Sequence, residues 1–349
     1  MIQAFHLIGV MSGTSLDGID LCFAEFINGN KFEFKLIHTR TVDYSERIKS
    51  KLVAIESGSA IELVKTDVEL GTIFGECINQ FIKDHKITKV DAIASHGHTI
   101  FHDPKNGFST QIGNPTQIHA ITGIKTIADF RSLDVALKGQ GAPLVPIGDD
   151  LLFGDYDSCL NLGGIANLSY RYQGKRVGFD VVVCNMALNH LAGKEGKTFD
   201  ENGQIASAGQ LKESLLNELN ELEYFSLPPP KSLGKEQFLE WYIPLINQSN
   251  FSTADLMATL IEHIAFQLGR TIKGGSCLVT GGGAYNQALI QALRKNVSAN
   301  IHVPENQIIE FKEALLFAFL GFLRLTNQVN TLSSVTGAQQ DSMGGCIYG

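Results

Sequence analysis

The chain of 349 residues is 44% hydrophobic and 18% charged, the balance of a globular protein and not of a disordered one, and its length predicts two domains, each with its own core. Lysine and arginine number 28 against 36 aspartates and glutamates, a formal charge of −8, which argues against wholesale binding to nucleic acid or an acidic membrane. Six scattered cysteines with no Cys-x-x-Cys pair signal neither a zinc site nor a disulfide framework and read as reduced core thiols; no leader-like start or membrane-length apolar run is present, so the cytoplasm is the expected location.

Residues 2–8 and 21–27 are apolar runs of strand length on either side of residues 9–20, GVMSGTSLDGID, so a hairpin is expected. Its turn carries glycines at 9, 13 and 18, the hydroxyls of Ser12, Thr14 and Ser15, and the carboxylates of Asp17 and Asp20. Backbone N–H groups and hydroxyls in a tight glycine-rich turn form an anion nest, and a carboxylate beside it can hold Mg²⁺ against the same phosphates. The stretch reads as a phosphate clamp. It lacks the Gly-Lys-Ser/Thr of a Walker loop, and a strand follows where the dinucleotide fingerprint needs a helix. A decorated surface hairpin is the plain alternative.

Residues 31–38 alternate as a third strand, and 59–85 show helical spacing, with Ser57 or Ser59 as N-cap and a break near Gly71. Residues 90–95 read as a buried strand that delivers His96-Gly97-His98 at its C-terminal end, where α/β sheets keep ligands; solvated loop histidines weigh equally. A strand over 124–131 ends in Arg131. The Gly/Pro-rich segment 139–146 suits a stiff crossing between domains, giving domains of residues 1–138 and 139–349.

Residues 158–170 repeat the logic of the first hairpin around Gly163 and Gly164. Two such hairpins imply a duplicated fold that clamps one polyphosphate between its halves. A strand over 177–180 ends in Asp180, and helical spacing resumes over 186–191. The loop 228–236 presents Lys231 and Ser232, with a solvated connection as the equal alternative. Ser252 caps a helix whose stripe is Leu256, Leu260, Ile261, Ile264 and Leu268. The strand 276–280 runs into Gly281, Gly282 and Gly283 and a helix from 287, a place where a flat nucleoside could lie against backbone with helix N–H groups at its edge. Glu313, near the start of a further helix, is an ordinary first-turn acid or a ligand-facing one.

Together these features resemble the acetate and sugar kinase, Hsp70 and actin superfamily. More closely, GVMSGTSLDG at 9–18, GQGAPLVP at 139–146, NLGGIANL at 161–168, PPKS at 229–232, GGG at 281–283 and SVTGA at 334–338 resemble the anhydro-N-acetylmuramic acid kinase family, over nearly the whole chain. The resemblance implies an α/β, two-domain duplicated ribonuclease H-like (actin-like ATPase) fold with mixed five-stranded sheets flanked by helices, the C-terminal tail free to pack back on the first domain. It implies an ATP- and Mg²⁺-dependent enzyme of cell-wall recycling that hydrolyses the 1,6-anhydro bond of anhydro-N-acetylmuramate and phosphorylates its O6.

By the same resemblance Asp180 is the general base on the attacking water. Gly13, Thr14, Ser15, Leu16, Asp17, Gly18, Ile19 and Asp20 hold the β- and γ-phosphates, with Asp17 near the metal. Gly163 and Gly164 flank the same phosphates, and Gly281, Gly282 and Gly283 flank the adenosine. His96, Gly97, Arg131, Lys231, Ser232 and Glu313 take the sugar, Arg131 or Lys231 suiting its lactyl carboxylate. The implied partner is a small amino sugar, with no nucleic acid and no membrane; a homodimer stays open.

Two positions depart from the family. Thr-Gly-Pro-Gly-Asn usually follows the base, and here Val181-Val182-Val183-Cys184-Asn185 stands there; β-branched valines resist the φ values glycine supplies, so that turn must differ. His98 replaces the usual glutamine. A kinase for another sugar and a catalytically weak nucleotide-binding paralogue are the alternative readings.

Overall fold

The computed structural model describes residues 3–13, 16, 18–29, 31–229 and 231–349. Twelve strands occur among them. In chain order they are β1 (Ala4–Ser12), β2 (Ile19–Asn28), β3 (Phe32–Val42), β4 (Ala92–Asp103), β5 (Phe108–Ile112), β6 (Thr126–Ala128), β7 (Ser158–Leu162), β8 (Ile165–Tyr172), β9 (Lys175–Val183), β10 (Ser276–Thr280), β11 (Asn300–His302) and β12 (Cys346–Tyr348). The chain forms two compact units, one of the residues up to Leu152 with Phe311–Gly349, the other Phe153–Glu310.

In the first unit the strand order is β3-β2-β1-β4-β6. β1 and β3 lie antiparallel to β2, β4 is parallel to β1, and β6 is parallel to β4. In the second unit the order is β9-β8-β7-β10-β11, with the same directions: an antiparallel meander, then two parallel strands. Parallel neighbours need long crossovers, which helices supply. The two units thus repeat one ribonuclease H-like plan. The first sheet exceeds the expected five strands because β5 pairs with the far part of β4 and β12 with β6.

The central strands are buried on both faces, so they read as continuous apolar runs. Leu7, Ile8 and Val10 in β1 are fully buried, as are Leu160 and Leu162 in β7. Ser59 and Glu62 close a capping box at the start of the helix Ala60–Asp84, which buries Leu70, Phe74, Ile78 and Phe81. The break expected near Gly71 is absent: that glycine lies against the backbone of Asn114, where a Cβ would come within 2.5 Å of the Asn114 carbonyl oxygen. In the second unit the helix Thr253–Thr271 is capped by Ser252, whose hydroxyl accepts from Asp255 N–H at 3.2 Å, and it buries the whole expected stripe.

Four further expectations are corrected. β4 does not stop at residue 95; it continues through His98, bending at Gly97, whose φ is +80°. β9 continues three residues past Asp180 because its valines are strand formers: Val182 and Val183 pair back to β8, and Val181 is bulged beside Asn167. Segment 139–146 does not cross between units: Gln140 N–H donates to the Thr336 carbonyl and Gly141 N–H to the Asp134 carboxylate, and the first unit runs on to Leu152. Glu313 sits two turns inside the helix Asn306–Leu325, not at its start. No disulfide joins the cysteines; four are buried, Cys77 is half-buried and Cys346 is exposed, so the last is not a core thiol. Among the described residues no helix is long and apolar enough to cross a membrane.

Candidate active site

In the first unit β1 and β2 pair antiparallel as the expected hairpin, with Ser12 opposite Ile19. Thr14, Ser15 and Asp17 lie outside the described residues. Leu16 N–H donates to the Gly13 carbonyl at 3.3 Å, and Leu16 takes φ +60°. Gly18 leads into β2, where Ile19 is buried and the Asp20 carboxylate accepts from the Thr41 hydroxyl at 2.6 Å. Gly9, read as part of the nest, serves packing instead: a Cβ there would collide with the Ala314 carbonyl oxygen. Behind the turn, the buried Ser12 hydroxyl lies 2.7 Å from the Tyr44 hydroxyl and 3.0 Å from His98 Nδ1. Burial holds His98 below its ordinary pKa, so the ring is neutral there.

The same unit gathers four expected sugar residues. Arg131 donates from Nε (3.0 Å) and Nη2 (2.9 Å) to His96 Nε2, and from Nη1 to the Gly141 carbonyl at 2.6 Å. A guanidinium only donates, so His96 Nε2 must accept, and its Nδ1 must carry the proton it gives to the Gly97 carbonyl at 2.9 Å. Burial, then the Arg131 charge, pushes His96 well below its ordinary pKa. Burial also pulls Arg131 down to about 10, opposed by the Glu313 carboxylate, and it stays charged at neutral pH. Both ring nitrogens of His96 are therefore used inside the protein. Its place is to hold Arg131, which among the described residues spends only one N–H of each terminal nitrogen.

Sequence reasoning missed Asp134. Its buried carboxylate accepts from Gly141 N–H and from the Thr336 hydroxyl, each at 2.7 Å. It joins the GQGAP and SVTGA strings, and through Gly141 it supports the carbonyl that Arg131 grips.

In the second unit Gly163 and Gly164 form the β7–β8 turn. Their carbonyls accept from the backbone N–H groups of Cys184, Asn185 and Met186, and Asn185 Nδ2 donates to the Leu162 carbonyl at 2.8 Å. The turn is thus seated on the start of the helix Asn185–Lys194. Beside it, Asp180 Oδ2 accepts from Leu233 N–H at 2.9 Å, while Oδ1 makes no hydrogen bond among the described residues. Burial raises the Asp180 pKa, partly offset by the Leu233 bond. Lys231 Nζ lies 3.0 Å from the Tyr224 carbonyl and 4.4 Å from the centre of the Tyr224 ring; burial, then Arg270, lowers its pKa. Ser232 is exposed next to it.

Gly282 and Gly283 of the three-glycine turn line a cavity of about 450 Å³, together with Asn185, Leu188, Asn189, residues 199–202, Tyr285 and Asn286, whereas Gly281 does not. That volume lies in the range of small-molecule sites. Gly281 takes φ +83°. At Gly283 a Cβ would meet the Leu162 Cβ at 2.7 Å, so no larger residue fits the present backbone. The helix N–H edge expected here is not offered: a 3₁₀ turn, Gly282–Tyr285, intervenes, and Asn286 caps Leu289 N–H at 3.0 Å. Of the lining residues outside the glycine turn only Asn185 carried a sequence signal, as the retained asparagine of the altered turn.

Duplicated units of one strand order, each opening on a glycine hairpin at the same place in its meander, define the class: a ribonuclease H-like fold of the actin-like ATPase type. The profile of the anhydro-N-acetylmuramic acid kinase family matches residues 5–349. The chain is 36% identical over 365 residues to the anhydro-N-acetylmuramic acid kinase of Coxiella burnetii (strain Dugway 5J108-111), covering 98% of this chain and 96% of that protein. It is 36% identical over 366 residues to that of Aliivibrio fischeri, covering 98% of each. The chain belongs to the anhydro-N-acetylmuramic acid kinase family. Among solved structures it aligns with the activator of the 2-hydroxyisocaproyl-CoA dehydratase from Clostridium difficile with bound ADPNP, at a TM-score of 0.43 and 12% identity, over 93% of this chain and 96% of that one.

Proposed function

We propose that the protein is an ATP-dependent kinase that hydrolyses the 1,6-anhydro bond of 1,6-anhydro-N-acetylmuramic acid and phosphorylates O6, giving N-acetylmuramic acid 6-phosphate in cytoplasmic cell-wall recycling. The observation that carries this reading is Asp180: a half-buried carboxylate with a raised pKa, one oxygen held by Leu233 N–H and the other open. Such a group suits a general base, because burial raises its basicity and one oxygen is left to meet a water. Water gives a proton to Asp180 and attacks C1. The C1–O6 bond breaks, O6 keeps the electron pair and attacks the γ-phosphorus, and ADP leaves. Hairpin N–H groups, with the hydroxyls of Thr14 and Ser15, are assigned to the charge that develops on the phosphates. Arg131, with one N–H of each terminal nitrogen unspent among the described residues, and Lys231 are assigned to the lactyl carboxylate.

Mg²⁺ accompanies ATP in this reading. The ion commonly takes one or two carboxylates with phosphate oxygens and water, not an all-protein cage; among the described residues no group of three or more His, Cys, Asp or Glu side chains forms one. Asp17 would hold it, and when bound it neutralises phosphate charge. A catalytically weak paralogue is the reading that Val181-Val182-Val183-Cys184 favours, yet the extended β9 leaves an Asp180 oxygen open. ADP release with 1,6-anhydro-N-acetylmuramic acid, glucosamine and N-acetylglucosamine separates these. The expected result is release with the first sugar only, abolished by Asp180→Asn with ATP binding retained; equal slow release by parent and variant would refute the proposal.

A further inference from the structure

Asp180, Lys231 and Tyr224 form a closed ring of hydrogen bonds. The Tyr224 hydroxyl donates to the Asp180 carbonyl at 2.6 Å, Asp180 N–H donates to the Lys231 carbonyl at 3.2 Å, and Lys231 Nζ donates to the Tyr224 carbonyl at 3.0 Å. Three elements meet there: β9, the 3₁₀ turn Glu223–Ser226 and the loop before Lys235–Gln237. Two residues past Lys231, Leu233 N–H holds the Asp180 carboxylate. Tyr224 is buried, with its ring against Phe225 and Trp241 and under the Lys231 ammonium.

The family's glycine-rich stretch is missing just after Asp180, so the base stands on a strand of valines whose bulge at Val181 leaves its own peptide outside the regular ladder. A buried carbonyl there needs a donor. Tyr224 supplies it with its hydroxyl, while its ring face gives the ammonium a second contact that does not neutralise its charge.

We propose that Tyr224 is the positioning residue of this site, setting the Asp180 carboxylate through its hydroxyl and the Lys231 ammonium through its ring. The inference rests on the reading of Asp180 as general base and Lys231 as a sugar contact. Its two arms separate chemically. Phenylalanine removes the hydroxyl and keeps the ring; leucine removes both.

The test measures kcat and the KM for 1,6-anhydro-N-acetylmuramic acid in the 349-residue chain. In Tyr224→Phe, kcat should fall about tenfold, the worth of one hydrogen bond in this setting, with KM within twofold of the parent. In Tyr224→Leu, KM should rise a further three- to tenfold, as loss of a cation–ring contact predicts. ATP affinity, measured by calorimetry, should stay within twofold in both, which shows that the second unit is folded. Parent-like kcat in the phenylalanine variant, an unchanged KM in the leucine variant, or a parallel collapse of ATP affinity would overturn the proposal. An Asp180→Asn variant with parent-like turnover would instead remove the reading on which it rests.

Discussion

Asp134→Ala tests whether the two family strings of the first unit are held by one carboxylate. Asp134 is 1% exposed and accepts two hydrogen bonds of 2.7 Å. A hydrogen bond to a charged group is worth about 1.5–3 kcal/mol, so the pair supplies roughly 3–6 kcal/mol. The Thr336 hydroxyl has a fallback acceptor in the Leu332 carbonyl at 3.3 Å, which places its share at the low end; Gly141 N–H has none among the described residues. The expected loss is about 4 kcal/mol for Asp134→Ala and about 1.5 kcal/mol for Thr336→Val. The two substitutions share an interaction, so a double-mutant cycle should return a coupling of about 1–2 kcal/mol. Urea unfolding should be followed by far-UV circular dichroism, because the single tryptophan, Trp241, reports the second unit. Losing the anchor of the Gly141 carbonyl also loosens Arg131, so KM for the sugar should rise more than kcat falls. A loss below about 1 kcal/mol, or a coupling of zero, would refute the reasoning.

Three further outcomes are expected. Burial raises the Asp180 pKa, so the acidic limb of the kcat profile should lie above the usual carboxylate value of about 3.9; and because a raised folded-state pKa gives stability that is lost as pH rises through it, Asp180→Asn should raise Tm at pH 7. His263, neutral between the Asn220 side chain and the Tyr242 hydroxyl, is pushed down to about 3 by burial. Its contribution is present above about 6.5 and is lost as pH falls below that value, so His263→Gln should flatten the stability slope between about pH 6.5 and 5 in calorimetric scans. Gly164→Ala meets nothing nearer than Met186 at 3.8 Å, whereas Gly283→Ala meets Leu162 at 2.7 Å; the second should cost about 1–3 kcal/mol, while the first should leave Tm alone and weaken ATP binding if phosphates approach that turn.

The meanders and the long helices were legible because their signals are local: strand-length apolar runs around a glycine turn, or a stripe with a serine cap. Where the sequence misled, a distant partner decided. The Gly71 break failed because Asn114 approaches from another element, and Gly9 looked like a nest residue although a helix near the far end of the chain requires its bareness. Both strand ends, at Ser95 and Asp180, were drawn at the polar residue, but a strand ends where its ladder partner does, and β5 and β8 continue. Asp134 was invisible because its two donors lie at 141 and 336. The cavity loop 199–202 carried no signal that was read, and in the structure its Asp200 carboxylate accepts from Ile205 N–H and Ala206 N–H.

Arg131 enters any encounter already immobilised. Its guanidinium plane is fixed on one edge by a histidine of settled tautomer and on another by a peptide oxygen, so the rotamer entropy of a long side chain is lost during folding and not on association. An anion that docks there gains affinity without that penalty, and one whose oxygens match a rigid planar fork gains most. Lysine in its place would keep the charge yet forfeit the preorganisation, making discrimination among anions, more than binding strength itself, the property most exposed to drift at this position.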